Sequence, residues 1–297
     1  MELLFLLNLS KFILLEKAKK QQILVPVDFS EVSFIAVKYA VEVARIFKCQ
    51  ISLLHVINNK VKSSVEKEEQ AKEKLIPIAK NIIECDNVPA NIYVLKGNYI
   101  SIINSIIEGI NAIMIVAGLD TGKGEKHKYF SAKIISTRFK TLRIPILVVQ
   151  KKPLTHIPFK NIILPVDFRK QAKEKAPWSS YFSKLNNSKI HVVFKEYKDE
   201  YFLKQLHNNI KLIKRSFDTM SVDFSIHKVE NINCSIDKYA IAYAKVNLSD
   251  MVIILNTDDF AIDDQLFGPA EQRLIANKDQ IPVLCLNPRD DLFIPCV

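Results

Sequence analysis

Two stretches of this chain hold residues whose type and spacing could bind a ligand. The first is Pro26-Val27-Asp28-Phe29-Ser30. An aspartate that follows an apolar run and precedes a helical pattern sits at a strand's carboxyl end and a helix's start. There its carboxylate can accept hydrogen bonds from a ribose hydroxyl or a base amine. The same carboxylate can instead cap the helix by accepting from free backbone N–H groups. The second stretch is Gly118-Leu-Asp-Thr-Gly122-Lys-Gly124, with three of the six glycines of the chain. Glycines there let backbone N–H groups come close to a phosphate, and a following helix N-terminus favours the anion. Lys123, Lys126, His127 and Lys128 add positive charge. Without a ligand, the same stretch reads as a solvated loop.

No other segment assembles catalytic chemistry. The sequence has no nucleophile elbow, HExxH, Walker A loop or paired catalytic carboxylates. No catalytic residue and no metal ligand is therefore assigned. His55 lies inside an apolar run, where a packed residue is commoner than a ligand. Asp258, Asp259, Asp263 and Asp264 read as a solvated acidic loop, with divalent-ion binding as the sharper alternative. The five cysteines are scattered with no CxxC pair. Cys49, Cys85 and Cys285 have apolar neighbours and read as small buried hydrophobes. A reducing, intracellular compartment is the expectation.

The elements that position these stretches come in two copies. Ile23-Leu-Val-Pro-Val-Asp-Phe29 recurs as Ile162-Ile-Leu-Pro-Val-Asp-Phe168, with aspartates 167 − 28 = 139 positions apart. Ile144-Pro-Ile-Leu-Val-Val149 recurs as Ile281-Pro-Val-Leu-Cys-Leu286, with prolines 282 − 145 = 137 apart. Two matched ends at nearly one period mark a duplication. The division is an N-terminal extension over 1–21, a first unit over 22–150, a linker over 151–159, a second unit over 160–289 and a tail over 290–297.

In the first unit the pattern predicts strands over 23–27, 51–57, 90–95, 113–117 and 144–149. Helices fall between them over 30–47, 64–85, 99–107 and 129–142, with Ser30 as the first N-cap. The second unit predicts strands over 162–166, 190–194, 222–229, 251–255 and 282–286. Its first helix starts poorly, with Lys170, Lys173, Lys175 and Pro177. Continuous apolar strands are buried on both faces, so each unit is an α/β domain: a five-stranded, mostly parallel sheet with helices on both faces, Rossmann-like. Ligands in such sheets bind beyond the carboxyl ends of the strands, near the switch in strand order. The last strand of each unit is an exposed edge. Pairing one edge with the other gives an internal pseudo-dimer.

Val25-Pro-Val-Asp-Phe-Ser30, the Leu54-His-Val56 strand, the strand–Gly–loop at 115–124 and the Ile-Pro-Ile-Leu-Val-Val ending together resemble the universal stress protein family. In the second half, Phe267-Gly-Pro-Ala270 followed by Ile281-Pro-Val-Leu is similar to tandem members of that family from bacteria. The resemblance implies five-stranded parallel α/β units, some of which bind ATP. It places candidate nucleotide contacts at Pro26, Val27, Asp28, Val56, Gly118, Gly122 and Ser131, and the cofactor would be ATP or AMP. The binding members' glycine pattern, laid from Gly118, gives Thr121 at the second glycine, Ser131 at the third and Ala132 at the hydroxyl position. The second unit departs further, with Asn256 at the strand end and Gly268-Pro269 in place of Gly-Ser. The implied function is a non-enzymatic stress-response module acting through weak nucleotide binding or partner contact. The alternative is an adenosine-phosphate hydrolase or transferase.

The formal net charge is +10, in short runs and not in a sustained stripe. It reads as solubility, so neither nucleic acid nor a membrane is an expected partner. An adenine nucleotide and an unidentified protein are, and homodimer formation stays open. Met1 to Leu15 is apolar but broken by Glu2, Asn8, Ser10 and Lys11, too short for a membrane span. The expected location is cytoplasmic.

Overall fold

The computed structural model describes residues 20–58, 64–120, 131–152, 158–230, 233–256 and 270–288. The extension before Lys20, Gly122 with its neighbouring lysines, most of the linker, the acidic stretch near Asp258 and the tail lie outside the described residues.

The first half runs β1 (Gln22–Pro26), α1 (Glu31–Phe47), β2 (Gln50–Ile57), α2 (Ser64–Asp86), β3 (Ala90–Lys96), α3 (Tyr99–Gly109), β4 (Ala112–Gly118), α4 (Ala132–Arg138) and β5 (Ile146–Val149). The second runs β6 (Asn161–Val166), a 3-10 helix (Lys170–Lys175), α5 (Ala176–Asn186), β7 (Lys189–Phe194), α6 (Glu200–Thr219), β8 (Phe224–Lys228), α7 (Ile236–Val246), β9 (Met251–Leu255), α8 (Ala270–Ile275) and β10 (Val283–Leu286). All ten strands join one sheet in the order β3-β2-β1-β4-β5-β10-β9-β6-β7-β8. Read outward from the middle, both halves carry the same strand order, so the duplication in sequence is a duplication in topology.

The two faces of the strands separate cleanly because side chains alternate. Ile23 and Val25 of β1, and Val27 just after it, point to one layer, with Ile51, Leu53, Met114 and Val116 and helices α1 and α2. Leu24 points to the other, with Leu54, Val56, Ile115 and Ala117 and helices α3 and α4. Both layers continue across the second half. The strands are buried on both faces, as continuous apolar runs require. Among the described residues no helix is long and apolar enough to cross a membrane.

Within each half the described pairings are parallel. The two edges meet antiparallel at β5 and β10, with Leu147 opposite Leu284. The expected edge pairing is therefore present. Helices clamp it on both faces. Phe47 of α1 packs edge-on against Phe182 of α5 at 5.3 Å and against Trp178 at 5.9 Å. Polar caps cross the junction too: Asn287 Nδ2 donates to Phe139 O at 2.8 Å and to Leu142 O at 2.9 Å, and Gln150 Nε2 donates to Asn277 O at 3.0 Å.

Some local expectations need correction. Residues 129 and 130 of the helix expected over 129–142 lie outside the described residues, and its described part ends at Arg138 and not Leu142, because Phe139 leaves the helical path and Leu142 N bonds back to Phe139 O in a turn. The edge strand starts at Ile146 and not Ile144, since Pro145 has no N–H to give a ladder. Cys85 is exposed on α2, not buried, whereas Cys49 and Cys285 are buried.

Candidate functional site

In the first half, four residues turn the chain from β1 into α1. Val27 continues the ladder, its N–H donating to Leu54 O at 2.8 Å. Phe29 then takes a left-handed backbone with φ 66°, a conformation bulky residues rarely adopt. Strain of this kind concentrates at functional turns. The reversal delivers Ser30 to the N-cap, where Ser30 Oγ accepts from Ser33 N. Asp28 stands one step behind. Its Oδ1 accepts from Ser30 N at 3.0 Å and from Ser30 Oγ at 2.5 Å. Direct capping of α1 thus falls to Ser30, while Asp28 holds the cap and stays half-buried.

Around Asp28 the side chains differ in access. Pro26, Val27 and Val56, expected as nucleotide contacts, are buried at the strand ends. His55 is the accessible one. Its Nδ1–H donates to Val27 O at 2.7 Å, and its ring packs 4.7 Å from Phe29. Burial lowers its pKa, opposed by the Val27 bond and the Asp28 charge. The neutral ring is favoured and presents Nε2 as an acceptor. Lys74 of α2 sits over the Phe29 ring at 5.4 Å. His55 was read as a packed residue; its packing is real, but it also lines the strand end. The missed signal was its place directly before Val56.

Gly118 ends β4, the strand beside β1 where the order reverses. A Cβ there would lie 2.5 Å from Val32 O and 2.7 Å from Val32 C. Glycine is therefore required so that the first turn of α1 can lie on the end of β4. Close helix–strand packing is thus a role for Gly118 besides the phosphate approach expected of it. Ser131 caps the short α4, accepting from Ile134 N at 3.2 Å. Asp28 and Gly118 are brought together by one feature, since both are built around the first turn of α1. Gly122 lies outside the described residues.

The same place in the second half is chemically different. Asp167 matches Asp28, and Arg169 stands where Ser30 stands. Arg169 N donates to Asp167 Oδ1 at 3.0 Å, and its Nε donates to Oδ2 at 2.6 Å. Its Nη2 contacts Asp167 Oδ2 and donates to Asp237 Oδ2 at 2.9 Å. Lys175 is wholly buried and donates to Pro165 O. Burial pushes its pKa down, and Asp237 and Asp167 draw it back up. Asn209 Nδ2 closes the turn, donating to Asp167 O and Arg169 O at 2.9 Å each. With arginine in place of the capping serine, the 3-10 helix starts without a side-chain cap. That is the physical form of the poor helix start read in the sequence.

Among the described residues no group of three or more His, Cys, Asp or Glu could hold a metal ion. No curated protein matches the chain. A family model described as the universal stress protein family matches residues 20–149. A universal stress protein from Archaeoglobus fulgidus DSM 4304 is similar in fold, with 14% identity, a TM-score of 0.69, and coverage of 92% of this chain and 98% of that one. A functionally unknown protein from Pseudomonas aeruginosa PAO1 aligns with 12% identity and a TM-score of 0.57, over 91% of this chain and 93% of its own. A putative universal stress protein from P. aeruginosa UCBPP-PA14 aligns with 11% identity and a TM-score of 0.56, over the same shares. At these identities the likeness carries the fold and nothing finer. On the family match and the fold shared along its length, the first half of this chain, residues 20–149, belongs to the universal stress protein family, and its second half repeats that fold.

Proposed function

We propose that the chain is a non-enzymatic stress-response module whose one ligand site is the strand-end cleft of the first half, over 22–150, which takes an adenine nucleotide weakly. The observation that carries this reading is the state of the two matched aspartates. Asp28 is half-buried and held by a neighbouring serine, so its carboxylate can still accept from a base amine or a ribose hydroxyl. Asp167 is buried and taken by a guanidinium. Beside Asp28, the neutral His55 adds an acceptor and the Phe29 ring an apolar wall.

Weak binding follows from the phosphate side. Gly118 packs on α1, and α4 opens on Ser131 and Ala132 where the resemblance asks for Gly and a hydroxyl residue. Affinity would come from the nucleoside end, so AMP and ATP should bind alike. Signalling would then pass by contact with a protein partner, in the cytoplasm. The sequence carries no Walker A loop and no paired catalytic carboxylates, so binding without hydrolysis is the favoured reading.

Calorimetric titration of the full chain with AMP and with ATP tests this. The expected result is one weak site with similar constants for both, weakened roughly 10-fold or more by Asp28→Ala, the loss of a hydrogen bond to a charged group. No binding of either nucleotide, or steady ATP turnover abolished by Asp28→Ala, would overturn the reading.

A further inference from the structure

Three positions around the second strand end have changed together relative to the first. Ser30 becomes Arg169 and Ala36 becomes Lys175, each 139 positions on. Counted from the N-caps Asn98 of α3 and Ser235 of α7, Ile100 becomes Asp237, 137 positions on. None of the first-half residues is charged. All three replacements are: Arg169 binds both Asp167 and Asp237, and the buried Lys175 ammonium, which donates to Pro165 O, lies in the field of both carboxylates, one guanidinium and one ammonium against two carboxylates. Arg169 spans from the end of β6 to the start of α7, linking Asp167 to Asp237 across 68 and more residues of chain. Asp167 and Asp237 are 5% and 8% exposed, and Lys175 is 0% exposed. Buried charges persist only when paired and hydrogen-bonded, so each member depends on the others.

We infer that Arg169 is a built-in cationic occupant of the second strand-end cleft, engaging with its guanidinium fork the carboxylate that an external ligand's donors would otherwise meet. The second half is then a sealed copy, and the chain is a one-site protein in a two-site frame. The fork geometry fits this role. Arginine donates through Nε and Nη2 to one carboxylate while reaching a second, which a lysine point charge cannot do. The inference rests on the nucleotide reading only in naming what is kept out. The sealing itself stands on the ionic cluster.

Two measurements on the full-length chain test it. Native mass spectrometry with AMP or ATP in excess should count no more than one equivalent per chain; two equivalents would overturn the proposal. If none binds, the reading of the first cleft falls, and the second measurement decides the sealing. Arg169→Ala should lower the thermal midpoint by roughly 10 °C, as expected for one partner removed from a buried ion pair. Ethylguanidinium at low millimolar concentration, a free copy of the missing group, should restore part of that loss in Arg169→Ala. It should do nothing for the wild type or for the Asp167→Asn/Arg169→Ala double variant. A variant as stable as the wild type, or one that ethylguanidinium leaves unmoved, would overturn the proposal. Should Arg169→Ala not fold, Arg169→Lys keeps the charge without the fork. Its midpoint should still fall, and an unchanged midpoint would count against the fork.

Discussion

The two strand ends of this molecule start from the same residues, Pro-Val-Asp-Phe, and finish as opposites. After Phe29 a serine follows, the helix is capped, and the aspartate is left within reach of solvent. After Phe168 an arginine follows, the cap is lost, and the aspartate is enclosed in an ionic cluster. The sheet beneath is the same in both halves. The fold places the two strand ends alike, and the residues around them, Ser30 in one half and Arg169, Lys175 and Asp237 in the other, set how exposed each aspartate is. The second half also has an architectural part: β10 covers the edge of β5, and α5 and α8 pack on the first half.

The largest effect should come from neutralising each aspartate in turn. Asp167→Asn takes a charge from a buried cluster and leaves Arg169 and Lys175 unbalanced, which costs about 3–5 kcal/mol. Asp28→Asn only loosens the hold on a cap that Ser30 still makes, at a cost of about 1 kcal/mol or less. Urea unfolding of both variants, read at the midpoint, checks the comparison. Equal losses would mean that the two strand ends are energetically alike and that the asymmetry is only geometric.

Much of the frame was legible in the chain. Runs such as Ile23 to Val27 and Met251 to Leu255 are apolar without alternation because both faces are buried, and such runs are visible in sequence. The edge pairing followed from two strands with no other partner. The ionic cluster was not legible. Arg169 and Asp237 are 68 residues apart, and Lys175 stood in a run with Lys170 and Lys173 that looks like ordinary surface. Only a fold that returns α7 to the end of β6 makes them neighbours. Gly118 was legible as important, but its packing against α1 was not. A glycine needed for a phosphate and one needed for a helix look the same until the helix is in place. Cys85 misled because its neighbours Ile82 and Ile83 are apolar, but of the two only Ile82 is buried, and α2 turns Ile83 and Cys85 to solvent.

A second, smaller effect separates the ends of β4 and β9. Gly118→Ala would set a methyl group 2.5 Å from Val32 O, a backbone atom, so α1 must shift. Overpacking of this sort costs about 1–3 kcal/mol. Asn256, 138 positions on, holds a full side chain at the matching strand end and directs it to Asn287 Oδ1 at 3.0 Å. Asn256→Ala should cost about 1 kcal/mol through the lost hydrogen bond. It creates no clash. Thermal melts of the two variants rank them. If Gly118→Ala is silent, close packing is not what the glycine is for, and the phosphate reading regains ground.

The smallest effect is a difference in acid response. Gln22 and Ser52 hydrogen-bond across β1 and β2 in the first half, and the matching residues in the second are Asn161 and His191. His191 Nε2 lies 3.2 Å from Asn161 Oδ1, and its Nδ1 lies 3.1 Å from Ser225 Oγ, which also meets His227 Nε2 at 2.8 Å. With the amide oxygen as acceptor, the His191 proton sits on Nε2 and Nδ1 accepts from the serine. Burial lowers the His191 pKa below 6.5, and His227 and Lys189 lower it further, with Asp223 opposing. The folded chain therefore binds that proton less readily than the unfolded chain. Stability should be intact above about pH 6.5 and decline as the pH falls below it. His191→Ser, which installs the first half's residue, should flatten this decline in denaturant midpoints measured across the range. His55→Phe, which installs the second half's residue, should remove a separate contribution, because burial lowers that pKa as well. If only His55→Phe changes the profile, the acid-sensitive element is the open strand end and not the sealed half, and the division of labour drawn between the two would have to be reversed for protons.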